Sequence, residues 1–206
     1  MCQLASFKHN PGTLEIRVAD LCSHGDTETL LGIRPDSEQP DQWRDGHYLP
    51  DGTIECRTVE GDSHASAQCE KHLRKRFPTY RQFLRWACKQ PAVKVRNAEL
   101  IAMKLSKDGK TLYARDTGIV DVSKNVALQT LDARGTGIVD VSKNVALQTL
   151  YASGTGIVDV SKNVALQTLD ARDTGIVDVS KNVALQTLYA RGTGIVDVSK
   201  KVMVYR

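Results

Sequence analysis

Four residues in one short stretch carry metal-ligand chemistry. Cys56, His64, Cys69 and His72 fall within 17 residues. Thiolate sulfur and imidazole nitrogen are the donors that zinc takes, and Cys69-x-x-His72 on a helix would turn both toward one side. The full spacing, Cys-x7-His-x4-Cys-x2-His, matches no standard zinc pattern. The expectation is therefore buried thiols and exposed histidines, with no metal or other cofactor. Five cysteines occur in all, Cys2, Cys22, Cys56, Cys69 and Cys88. An odd count at irregular spacing fits reduced thiols better than a disulfide framework. A cysteine nucleophile would need a histidine and a carboxylate or asparagine beside it. All these types precede residue 90, but no catalytic signature surrounds any cysteine, and neither a phosphate-cradling glycine loop nor a Gly-x-Ser-x-Gly elbow occurs. An enzyme is not expected.

A second kind of chemistry is charge. Between Glu60 and Ala92 there are seven basic residues and three acidic ones, so this stretch alone carries the whole formal net charge of +4. Lys71, Arg74, Lys75, Arg76, Arg81 and Arg85 form a candidate patch for an anionic partner. No nucleic-acid-binding motif accompanies them, and nucleic acid is not the expected partner.

The elements that must position such residues are announced by an internal repeat. Leu112, Leu131, Leu150, Leu169 and Leu188 are each 19 residues apart, and TGIVDVSKNVALQTL recurs almost letter for letter. Val93, Val95, Ala98, Leu100 and Met103 fit the same frame as an earlier, diverged unit. Within a unit, Leu131-Asp132-Ala133-Arg134 alternates with period two and reads as a short strand with Leu131 and Ala133 inward. Gly137 permits a turn, Ile138 and Val141 point inward from the return path, and Ser142-Lys143-Asn144 makes a second corner, where Asn144 is expected at positive φ. The recurrent threonine (Thr117, Thr136, Thr155, Thr174, Thr193) is expected to bond loop backbone groups through its hydroxyl. Nineteen residues cannot bury this apolar set alone; stacked copies can, with the strands paired in parallel. The unit is too short for a full helix on the convex side, so short turns or extended backbone are expected there. Ser106 to Tyr113 looks like a β-propeller strand-turn, but propeller blades need about 40 or more residues, and the exact 19-residue steps exclude it.

The pattern Leu128-x-x-Leu131-x-Ala133-x-x-Thr136-x-Ile138 resembles the leucine-rich repeat, with alanine at the third apolar site and threonine in place of asparagine. Asp-Val-Ser-Lys-Asn-Val-Ala-Leu is similar to bacterial repeats of the BspA and internalin-like kind. The resemblance covers residues 93–204, a little over half the chain. It implies an α/β repeat solenoid, a parallel-sheet leucine-rich-repeat array of about six units over residues 91–206, behind a small α+β capping domain over residues 1–90. It is specific for fold and says little about function.

Stacking turns outward residues into ladders about 4.8 Å apart. One ladder is Tyr113, Asp132, Tyr151, Asp170, Tyr189. Another is Arg115, Arg134, Ser153, Arg172, Arg191, with Asp116 and Asp173 beside two of the arginines. Tyrosine and arginine dominate binding hot spots. The expectation is a protein-protein interaction module that meets an acidic or mixed protein surface on this concave face. The competing reading is a solvated face whose Asp and Arg pair across strands. Two other functions compete: an enzymatic or metal-binding N-terminal domain carried on the repeats, or a self-associating structural protein. Val204 falls where a seventh strand would begin without completing, so a homodimer joined through that edge is expected.

The N-terminal segment shows no repeat. Thr13–Val18 alternates like a strand, Pro35–Gly46 reads as polar loop, and Pro50-Asp51-Gly52 marks a hairpin between Tyr48 and Ile54. Asp62 or Ser63 can cap a helix to about Arg76. Thr79-x-x-Gln82 is a capping box for a second helix to about Lys89, with Tyr80, Phe83, Leu84 and Ala87 on its apolar face. These helices are expected to cap the solenoid at the Val93 strand. No stretch approaches the 18 or so apolar residues of a membrane span, and Met1 to His9 lacks a signal peptide's apolar core. The expected location is cytoplasmic, with signal-less secretion as the alternative.

Overall fold

A computed structural model describes residues 5–10, 15–20, 27, 30–31, 43–49, 51–56 and 63–206. The chain divides into two compact units, residues 2–97 and 98–206. The division falls inside a helix rather than between residues 90 and 91.

In the first unit, strands β1 (Ala5–His9), β2 (Ile16–Arg17), β3 (Arg44–Tyr48) and β4 (Ile54–Cys56) form an antiparallel sheet in the order β2-β1-β3-β4. The hairpin read from Pro-Asp-Gly is present. β3 and β4 pair with Tyr48 opposite Ile54, and Gly52 takes φ +92° in the connection. Of the stretch Pro35–Gly46 read as loop, residues 35–42 lie outside the described residues, and Arg44 to Gly46 are strand paired with β1. Only Ile16 and Arg17 of the stretch Thr13–Val18 form strand, and Thr13 and Leu14 lie outside the described residues.

Helix α1 (Ser63–Arg76) ends where expected, and helix α2 (Tyr80–Ala87) carries the complete capping box between Thr79 and Gln82. Tyr80, Phe83, Leu84 and Ala87 are its buried face. Phe83 sits 5.5–5.7 Å from the rings of Phe7, Tyr48, Phe77 and Trp86, and the Tyr48 hydroxyl donates to the Phe77 carbonyl at 2.8 Å. This aromatic cluster fastens the helices to the sheet.

The stretch read as a diverged repeat is instead helix α3 (Pro91–Lys104). Pro91 sits at the first helical position, where its missing N–H costs nothing. The run Asn97-Ala98-Glu99-Leu100-Ile101-Ala102-Met103-Lys104 is rich in helix formers and lacks the Thr-Gly turn of the true units. There is thus no Val93 strand for α1 and α2 to shield. The last turns of α3 close the first repeat: Leu100 joins the solenoid core, Ile101 and Leu105 pack against it, and Leu105 bridges to Leu112.

The second unit is a solenoid of 19-residue turns that share one parallel sheet. Strands β5 (Thr111–Tyr113), β6 (Thr130–Asp132), β7 (Thr149–Tyr151), β8 (Thr168–Asp170), β9 (Thr187–Tyr189) and β10 (Met203–Tyr205) form one parallel sheet in sequential order, leucine beside leucine. β10 is a fully paired sixth strand rather than the start of a seventh, with Val204 opposite Leu188. The return segments are extended backbone and tight turns, without helix, as the short unit requires. Leu131, Ala133, Ile138, Val141 and Leu147 and their equivalents make one continuous core. No helix among the described residues is long and apolar enough to cross a membrane.

Three details of the turn differ from the expectation. The left-handed residue precedes the threonine: Gly135, Gly154 and Gly192 have φ from +65° to +71°, with Asp116 (+53°) and Asp173 (+55°) in the same place. The glycine after the threonine answers another need. A Cβ on Gly175 would lie 2.8 Å from Cγ1 of Val158 in the preceding turn, so that glycine permits close stacking. Asn144, expected at positive φ, has ordinary φ and is buried. Its Nδ2 donates to the carbonyls of Val122 and Asn125, both at 2.9 Å, and Asn163 and Asn182 repeat this one turn further on. The result is an asparagine ladder through the corner of the solenoid. Val126, Val145, Val164 and Val183, beside those asparagines, are more than half exposed.

Candidate functional site

On the outward face of the parallel sheet each strand presents one residue after its central leucine, and sheet register sets these side by side. Tyr113 neighbours Asp132, Asp132 neighbours Tyr151, Tyr151 neighbours Asp170, and Asp170 neighbours Tyr189. Tyr205 of β10 extends the row and stacks on Tyr189 at 4.8 Å. The threonine at each turn holds the following backbone: Thr136 Oγ1 donates to the Ala133 carbonyl at 2.6 Å and accepts from the Ile138 amide. The same pair recurs at Thr117, Thr155, Thr174 and Thr193, as expected.

The aspartates and arginines of this face do pair: Asp132 and Asp170 each within their own strand-turn, and Asp173 across neighbouring turns with Arg191. Arg134 Nε and Nη2 donate to the two carboxylate oxygens of Asp132 at 2.8 and 2.5 Å, and Arg172 meets Asp170 the same way at 2.9 and 2.7 Å. Each guanidinium also lies over the tyrosine of the next strand, Arg134 at 5.2 Å from the Tyr151 ring centre and Arg172 at 5.7 Å from that of Tyr189. Bidentate geometry and the ring face together fix the arginine. The bonded carboxylate holds each guanidinium even more firmly protonated than usual. Asp132 and Asp170 are consequently buried, at 9% and 2% exposure.

The remaining members of the two ladders are more open. Tyr113 is 64% exposed. Arg115 and Arg191 make looser contacts with Asp116 and Asp173, at 3.3 and 3.8 Å. Four arginines thus face four aspartates, and the face is charge-balanced. The sequence pattern placed these nine residues in register. The two tight Asp-Arg-Tyr clusters needed the strand-to-turn geometry, which alternation alone does not give.

The basic set of the first unit is partly consumed by structure. Arg74 pairs with Glu70 and donates to the Gly52 carbonyl, and Arg76 lies over the rings of Phe77 and Trp86. Arg81 is half-buried, while Lys71, Lys75 and Arg85 are exposed on α1 and α2.

The sulfur and imidazole residues are regrouped. Cys56 at the end of β4 and Cys69 on α1 come together, but with His9 at the end of β1, a residue that the sequence spacing did not single out. One ligand atom from each of the three lies within 4.8 Å of the others. Cys56, Cys69 and Cys88 are not in disulfides. A hydrogen bond between Cys56 and Cys69, with smaller help from the nearby His9 and His72, holds the Cys69 thiol down to about 5; the same contact pushes the Cys56 thiol up. The His64 side chain lies outside the described part of the structure.

No known family profile matches the sequence. No curated protein is similar to it. Among solved structures, an internalin from Listeria monocytogenes is similar, with a TM-score of 0.35 and 18% identity over 61% of this chain. The match takes in 47% of the internalin chain, so this chain spans about half the length of that structure.

Proposed function

We propose that the second unit is a protein-binding scaffold whose concave face, built from Tyr113, Arg115, Asp132, Arg134, Tyr151, Asp170, Arg172, Tyr189 and Arg191, receives a partner protein. The observation that carries this reading is the repeated Asp-Arg-Tyr cluster. Its arginine is fixed at both ends before any partner arrives, by a buried carboxylate and by a ring face. Binding surfaces lose affinity to the ordering of long side chains, by about 0.5–1.5 kcal/mol for each one immobilised. A guanidinium already in place avoids that cost. The pairing also changes the expected partner. With each arginine matched by an aspartate, the face suits a surface of mixed charge that offers aromatic and hydrogen-bonding groups, rather than a strongly acidic one.

The test compares the full chain with two variants as bait in its native host. One is Tyr113→Ala, which removes an exposed ring without touching the core. The other is Tyr151→Ala with Arg172→Ala, checked for folding by circular dichroism. A partner recovered by the parent and lost by both variants supports the face. Equal recovery by all three counts against it. Binding should weaken only modestly with added salt, because steep salt dependence belongs to unbalanced charge.

A further inference from the structure

We propose that His9, Cys56 and Cys69 bind a divalent cation of the zinc class. The sheet and one helix build the site. In the register of β1, β3 and β4, Phe7, Gly46 and Cys56 form one row across the sheet. His9 lies two residues from Phe7 on the same strand and so projects from the same face. Gly46, between the strands, has no side chain to fill the space; the Phe7 ring occupies the place a Cβ would take. Cys69, 3% exposed on α1, approaches from the helix side.

The second observation is the state of His9. It is fully buried, and among the described residues neither Nδ1 nor Nε2 has a hydrogen-bond partner. An imidazole needs a partner when taken out of water, and buried polar groups almost always have one. No atom of the described residues meets hydrogen-bond geometry at either nitrogen, yet two cysteine sulfurs lie within 4.8 Å of the ring's ligand atom. A cation among the three would satisfy one nitrogen directly.

Donor type selects the metal. Two sulfurs and one imidazole nitrogen suit zinc, and softer ions, over magnesium or calcium, which take oxygen. Zn–S bonds of about 2.3 Å and Zn–N bonds of about 2.0 Å imply ligand-to-ligand distances of roughly 3.5–3.8 Å in a tetrahedron. The observed spread therefore needs a contraction of about 1 Å, within reach of small side-chain rotations. Three protein ligands leave the fourth position to water. Binding needs both cysteines as thiolates, so any thiol proton still held is released to solvent.

The experiment is a cobalt(II) titration of the reduced full chain, followed by zinc competition. The expected result is one cobalt per chain, tetrahedral ligand-field bands, a near-ultraviolet thiolate-to-cobalt band of two-thiolate intensity, and displacement of the cobalt by an equimolar amount of zinc. His9→Ala, Cys56→Ser and Cys69→Ser should each lose or shift that spectrum, and Cys88→Ser should retain it. The parent result alone decides the matter if a variant fails to fold. Absence of the thiolate band in the parent overturns the proposal. So does a spectrum unchanged in folded His9→Ala, or a reduced chain that refuses cobalt and simply forms a Cys56–Cys69 disulfide in air.

Discussion

The buried asparagines show how much one side-chain amide does in this solenoid. Asn163 donates to the carbonyls of Val141 and Asn144, and its own carbonyl accepts from Asn182. Its Oδ1 is buried without a partner, so the contribution comes from the two donors. Asn163→Ala strips both carbonyls and should destabilise by about 1–3 kcal/mol, read as a lower urea midpoint. Asn163→Asp keeps the shape but turns a carboxylate toward the same two carbonyls, and should cost more than alanine at neutral pH. A midpoint for the Asp variant at or above that of the Ala variant would refute the ladder as described. Asp178 presents the opposite case, a fully exposed acceptor. Its carboxylate takes the Ser180 amide at 2.7 Å, and this bond lowers its pKa from the ordinary aspartate value. A depressed pKa means the folded state favours the ionised form, so this contribution is present at neutral pH and is lost as pH falls through the acid carboxylate range. Asp178→Asn should flatten that part of the curve of denaturation midpoint against pH; an unchanged acid limb would count against the bond.

Strands and helices decide which of these roles a residue type takes. On β8 and its turn, Arg172→Ala would leave the Asp170 carboxylate, 2% exposed, with only the Arg172 amide as partner. A loss of about 1–3 kcal/mol is expected, and part of it should return in the double variant Asp170→Ala with Arg172→Ala, because no buried charge then remains unpaired. Arg191→Ala removes an arginine whose side chain is 70% exposed, and should stay within about 0.5 kcal/mol of the parent. Equal losses at Arg172 and Arg191 would mean the bidentate cluster adds nothing. The same scale explains what the sequence made legible. A 19-residue period written five times fixed the strands, the leucine core and the threonine bonds, because each depends on spacing within a unit. Asparagine's tolerance of positive φ points to a corner role for Asn144, whereas its actual partners are carbonyls of the turn before. Val93 to Met103 matched the repeat in apolar spacing, yet Pro91 and the following helix formers outweigh that match. Sequence spacing does not point to His9, because sheet pairing and α1 bring it to Cys56 and Cys69.

Across the whole solenoid, the order of the units matters as well as their number. Stability in a repeat array is approximately a sum of unit and neighbour-interface contributions. Here the interfaces are not all equivalent, since tyrosine and aspartate alternate from strand to strand and each aspartate lies between two tyrosines. Removing residues 149–167 deletes one unit, joins Gln148 to Thr168, and sets β6 directly against β8. Asp132 and Asp170 would then be lateral neighbours about 4.8 Å apart, and like charges directly opposite are destabilising. The Arg134 guanidinium would also lose the Tyr151 ring it now covers. Removing residues 130–167 deletes two units, sets β8 against β5, and restores the Tyr113-to-Asp170 pairing with the Asp170-Arg172-Tyr189 cluster intact. The loss of stability from the one-unit deletion should therefore exceed half of that from the two-unit deletion, measured by urea unfolding with allowance for the smaller slope of the shorter chains. Losses in simple proportion to the units removed would show that the leucine core alone sets the coupling between turns. A disproportionate one-unit loss would place part of that coupling in the same tyrosines, aspartates and arginines that line the proposed binding face.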